Sequence, residues 1–152
     1  FDGKDVLKRI FSKQWDGTDI LYGDGQVVYS SGQKYMKPWG PFYLSNKRLH
    51  GMGFSHQSVF VRLAWAKKFP FDLSFRCCAD YNMMVACYKN GAKFDYVPIS
   101  VTICEGRFGF SESHRMLQLT EEARICGIEN TLYFKIIKTK RTIVRKMRKM
   151  IK

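Results

Sequence analysis

The stretch RCCADYNMMVACYKNGAKFDYVPISVTIC, residues 76–104, decides the fold class. In its first half Tyr81, Met84, Val85 and Tyr88 fall at i, i+3, i+4 and i+7, and Met83 and Cys87 continue the apolar character round the side. That period predicts a helix buried on much of its circumference and stopped by Gly91. Beyond Gly91 the pattern changes to two β-runs on either side of Pro98. A buried helix leading into strands is an α/β signature. One acid, Asp80, stands at the head of this helix. It admits two readings. A carboxylate in a first turn is stabilised by the helix dipole by about 0.3–1 kcal/mol. A carboxylate at the mouth of a buried helix is also placed to act as a general base on a substrate hydroxyl.

Upstream, DGKDVLKRIFSKQ carries Val6, Leu7, Ile10 and Phe11 at the spacing of an amphipathic helix, with Asp2 or Asp5 as its cap. TDILYGDGQVVYSSG reads as a hairpin, with β-runs at 19–23 and 26–30 around a Gly23, Asp24, Gly25 turn. Residues 34–53 are aromatic and rich in Pro and Gly, which predicts a long excursion with at most a short helix at 45–49. FSHQSVFVRLAWAKKF turns β-like at 57–61 and helical after it. After the loop EGRFGFS, Ser111 or Ser113 opens the helix SHRMLQLTEEARICG, which Gly127 ends, and a last helix follows.

The 152 residues, 45% of them hydrophobic, suit one domain with a real core. No apolar run approaches the roughly 18 residues of a membrane span, and a secretory leader pattern is absent from the start of the sequence. Five cysteines without a CxxC pair or finger-like His spacing favour reduced, packed thiols and a cytoplasmic location. The net charge of +13 and the 15% aromatic content invite a nucleic-acid-binding reading. However, residues 135–152 hold nine Lys and Arg and no acid, leaving 17 basic against 13 acidic residues, or +4, elsewhere. With no helix-turn-helix or RNP-like pattern, nucleic acid is not the expected partner. A non-catalytic membrane-associated scaffold is a further alternative.

Other chemistry-bearing residues cluster at two places. His56 and Gln57 sit where a glycine-containing loop enters a strand, as satisfied structural donors or as part of a ligand site. Glu105, Arg107, Ser111 and His114 surround the EGRFGFS turn, whose glycines, Gly109 among them, permit close backbone approach to a ligand. No Walker loop, GxGxxG, HExxH or GxSxG occurs.

In order, a helix, TDILYGD, a loop, FSHQSVFVR, FPFDLSFRCCADYNMMVACYKNGAKFDYVP and EGRFGFS with a Glu-bearing helix resemble the second half of bacterial family-two glycosyltransferases of GT-A fold. The likeness covers roughly residues 1–127, and its most specific pieces are YGD, SHQSVF and FD-x-x-F-x-x-x-ADY. It implies an incomplete GT-A-like mixed sheet with flanking helices over 1–127, the acceptor-side half, and a basic amphipathic tail helix over 128–152. It implies that Asp80 deprotonates the acceptor hydroxyl in an inverting transfer from a nucleotide-diphosphate sugar to a surface glycan or lipid-linked acceptor. It places His56 and Gln57 beside the acceptor, and Gly109 to Ser111 in a loop that closes over the donor.

In that family the donor is held by an N-terminal Rossmann-like half of about a hundred residues, ending in a DxD-type motif for a divalent metal, Mg or Mn. This sequence has no counterpart of that half, so the expectation is a fragment, a truncated product or a chain with a partner, inactive alone. Finally, Ile136, Ile137, Ile143, Val144, Met147, Met150 and Ile151 form a stripe interrupted by Lys140 and backed by basic residues. That pattern predicts either a packed terminal helix or one lying on an anionic membrane, here the inner face of the plasma membrane.

Overall fold

The computed structural model describes residues 1–41, 49, 51–106 and 110–150, the side chains of 111, 112, 148 and 149 excepted. At its centre is strand β1 (Ile20–Tyr29). β4 (Phe94–Glu105) runs parallel to it over nearly its whole length. Along the other edge, β3 (Val59–Val61) pairs antiparallel with residues 20–22, and β2 (Gly32–Met36) pairs antiparallel with residues 25–29. The sheet is therefore mixed, and the class is α/β with helices on both faces.

Side chains alternate across β1 as the pleat requires. Ile20 and Tyr22 join a cluster with Tyr81, Met83, Met84, Val85 and Cys87 of α3 (Ala79–Lys89). Leu21 points the other way, to Val97 and Val101 of β4 and to Val6 and Ile10 of α1 (Val6–Phe11). α3 is buried round much of its circumference, as its sequence predicts, and Gly91 takes the positive φ of 83° that ends it. α1 buries only Val6 and Ile10, while Leu7 and Phe11 are exposed. Neither expected acid caps it: Asp5 at the N-cap makes no side-chain cap bond, and Asp2 accepts from Gln26 Nε2 at 2.7 Å.

The predicted hairpin lies elsewhere. β1 runs unbroken through Gly23, Asp24 and Gly25, and the chain reverses at Ser30 and Ser31 into β2. Gly23 serves close approach and not turning. A Cβ there would stand 2.5 Å from Val101 Cγ2 and 2.8 Å from the Ile99 carbonyl oxygen. At this point the register against β4 jumps from Gly23–Val97 to Asp24–Ser100, so Pro98 falls in a bulge of one long strand and does not separate two. A residue without an N–H is tolerated where no ladder bond is required of it.

After β2, whose five residues are all exposed, the excursion resumes; positions 42–48 and 50 lie outside the described residues. A single 3-10 turn (His56–Ser58) leads into β3 and then α2 (Leu63–Lys68). Beyond β4 come α4 (Phe110–Ser113) and α5 (Arg115–Ile125), with Gly127 at φ 66° closing the latter. The last helix is α6 (Leu132–Met150). Leu119 and Ala123 of α5 form a third cluster with Ile128 and Phe134, the latter near the start of α6.

Candidate functional site

The segment entering α3 is fixed by a carboxylate from another helix. Helix starts leave backbone N–H groups without intrahelical partners. Here Glu121 of α5, only 6% exposed, accepts from three backbone N–H groups leading into α3, the last of them that of the N-cap residue Cys78. Its Oε1 accepts from Arg76 N at 2.9 Å, and its Oε2 accepts from Cys77 N at 2.8 Å and Cys78 N at 2.9 Å. Asp80 follows in the first turn of α3.

Asp80 is not an N-cap. Its Oδ1 accepts from the neighbouring Tyr81 N–H at 2.8 Å, and its Oδ2 lies 3.0 Å from His56 Nδ1. His56 is carried to it by the 3-10 turn ahead of β3. That turn is tied down by Ser58, which is fully buried; its N–H donates to Ser55 O, and its hydroxyl shares a 2.7 Å hydrogen bond with Thr102 of β4. The sheet thus holds the histidine, and α5 holds the segment bearing the aspartate.

The side chains are 56% exposed for His56 and 27% for Asp80, so the pair opens to solvent on the histidine side. Burial pushes the Asp80 carboxyl up, but the hydrogen bond and charge of His56, with the Tyr81 N–H, outweigh it and hold the pKa below the ordinary value. The bond to Asp80 raises His56 above its ordinary 6.5 against a smaller opposing effect of burial. Asp80 is therefore a carboxylate throughout the neutral range. Among the described residues, each of its oxygens has one partner from another residue, Tyr81 N–H for Oδ1 and His56 Nδ1 for Oδ2. His56 Nε2 has no hydrogen-bond partner among the described residues.

Ser55, the residue before His56, lines a pocket of about 400 Å³ together with Tyr35, Lys37, Trp39 and Phe54. Trp39 and Tyr35 are 65% and 54% exposed. Behind them stands Asp24, the acid of the YGD run, at 3% exposure. It accepts hydrogen bonds from Tyr35 Oη and, at 2.7 Å, from Tyr96 Oη. The bond to Asp24 pushes the Tyr35 hydroxyl up to about 12, and burial followed by the same carboxylate raises Tyr96. Both hydroxyls stay protonated as donors, which anchors Tyr35 in the pocket wall. A second cavity, about 530 Å³, lies between α1 and the sheet, where Arg62 donates to the Thr18 carbonyl at 3.0 and 2.8 Å and Asp19 accepts from Lys93 N.

Of the residues singled out from sequence, the structure brings together His56 and Asp80. Gln57 accepts from Cys104 Sγ on β4. Glu105 is exposed at the end of β4, opposite Val28 of β1. His114 stacks on Phe110 with ring centroids 4.0 Å apart and bonds Ser113 Oγ and Phe110 O. No described hydrogen bond or ion pair links Glu105 or His114 to Asp80. Arg107 and Gly109 lie outside the described residues; Ser111 lies within α4, its side chain outside the description. None of the five cysteines is in a disulfide; Cys78 and Cys87 are buried and the others half-buried, and burial raises Cys77, Cys78, Cys87 and Cys126 away from thiolate chemistry.

Among the described residues no group of three or more His, Cys, Asp or Glu is placed to hold a metal ion. Asp2, the acid nearest the position of the expected metal motif, is spent on Gln26. The described residues therefore offer no site for a divalent ion. A scan against protein-family models and searches of curated proteins and of solved structures find no match to this chain.

Proposed function

We propose that this chain forms the acceptor side of an inverting, GT-A-like glycosyltransferase, with Asp80 as the base that removes the acceptor proton. The observation that carries this reading is the Asp80–His56 pair, an ionised carboxylate held at 3.0 Å from a solvent-facing imidazole. The pocket lined by Ser55, the residue before His56, supports it. Exposed Trp39 and Tyr35 offer flat apolar faces to the C–H side of a pyranose ring, and Ser55 and Lys37 offer polar contacts. In this proposal an acceptor hydroxyl donates to Asp80. As that oxygen attacks the anomeric carbon of the donor, its proton passes to the carboxylate, and the nucleoside diphosphate leaves from the opposite face. His56 orients Asp80 and disperses its charge; it is a positioning residue. Binding of the nucleotide-sugar falls to residues other than those described here.

The test is transfer by the gene product that includes whatever coding sequence precedes Phe1, assayed with nucleotide-diphosphate sugars and glycan acceptors. The product linkage should have the anomeric configuration opposite to that of the donor. Retained configuration would contradict a single in-line displacement assisted by one base.

A further inference from the structure

The C-terminal helix presents an apolar face that the body of the protein does not cover. At 3.6 residues per turn, α6 meets the body through Phe134, buried in the third cluster, Ile137, packed against that cluster, and Arg141, whose charge acts on Glu122 of α5. About two-fifths of a turn round from this seam lie Leu132, Ile136, Ile143, Met147 and Met150, exposed by 73%, 59%, 53%, 53% and 82%. The expectation of a packed terminal helix therefore holds for the first turns, and the long stripe faces away. Lys135 and Lys146 flank the stripe on one side, Lys140 stands inside it, and all three are exposed. No acid occurs in the helix. A helix destined for water gains from Glu–Lys pairs four residues apart, and this one has none.

We infer that α6 lies in the interface of an anionic lipid bilayer, with the stripe in the acyl boundary and its lysines on headgroup phosphates. Charge complementarity selects this occupant. An isolated apolar stripe would suit another helix, but nine Lys and Arg within residues 135–152 would repel a second copy laid alongside and attract an anionic leaflet. Lys140 fits because a long stem runs along apolar surface while its ammonium reaches the phosphates. No helix among the described residues is long and apolar enough to cross a membrane, so the contact is with one leaflet. This inference does not depend on the transfer chemistry proposed for Asp80.

Co-sedimentation of the full chain with vesicles tests it, using phosphatidylcholine alone and phosphatidylcholine mixed with phosphatidylglycerol. The chain should pellet with the mixed vesicles, release as salt is raised, and stay in solution with phosphatidylcholine alone. The double variant Lys135→Gln/Lys146→Gln should bind about 25-fold more weakly, roughly fivefold for each charge. Ile143→Asp/Met147→Asp, altered only at exposed positions, should keep its circular dichroism spectrum and lose binding. Equal binding to both lipids, or undiminished binding by the aspartate variant, would overturn the inference. So would a dimer in lipid-free buffer that the aspartate variant dissociates, since the stripe would then belong to a second copy.

Discussion

Replacing Glu121 tests how the entry to α3 is held. In Glu121→Gln the amide keeps one oxygen, which best serves Cys77 and Cys78, the two N–H groups already sharing Oε2; the amide nitrogen is then turned on the Arg76 N–H. One charge-assisted bond is lost, worth about 1.5–3 kcal/mol. Glu121→Ala removes both acceptor oxygens, and with them all three bonds, at a buried position, and the expected cost rises to about 3–5 kcal/mol, water replacing part of what is lost. With a urea m-value of about 2 kcal/mol per molar, the midpoint should fall by about 1 M for Gln and about 2 M for Ala. Urea unfolding followed by circular dichroism reads both, and the graded order matters as much as the size. An alanine variant within about 0.5 kcal/mol of the parent would refute the idea that this carboxylate fixes the segment carrying Asp80.

The His56–Asp80 pair makes its own prediction. The His56 resonances should titrate with a midpoint above 6.5, and Asp80→Asn should bring that midpoint below 6.5, because burial remains once the partner is gone. The sign for stability follows: the contribution of a raised histidine is complete below its unfolded value near 6.5 and fades as pH rises through the raised one. That of Asp80, whose pKa is lowered, is complete above its unfolded value near 4 and is lost on acidification through the lower one. An unmoved His56 midpoint in the variant would separate the two residues. Gly23→Ala should cost about 1–3 kcal/mol by overpacking against Val101 and the Ile99 carbonyl, lowering the melting temperature by about 3–9 °C; a neutral effect would favour a surface turn at this position.

The elements whose signal is local were legible in the sequence. The 3.6-residue period of α3, its stop at Gly91, the change from β3 to α2 and the amphipathic α6 all follow from residues close together in the chain. Gly23, Asp24 and Pro98 misled because what determines them is distant. The space at Gly23 is taken by Val101 and Ile99, and Asp24 is held by Tyr96, 72 positions away. The site shows the same limit. Asp80 and His56 each read as plausible structural residues, and only the packing of the 3-10 turn beside α3 joins them. Glu121 gave no sequence signal, since its three partners are backbone groups 43 to 45 residues away. Tyr35, Trp39 and Phe54 belong to the aromatic stretch whose length alone hinted at binding.

The most direct test of the central claim is turnover by the Asp80→Asn variant of the complete gene product, measured under saturating donor and acceptor. The amide keeps the shape and can still meet the Tyr81 N–H, but it cannot take the acceptor proton. Turnover should fall by about 10²–10⁴, with donor affinity and the melting curve close to the parent's. A variant that transfers sugar at nearly the parental rate would show that Asp80 is not the base.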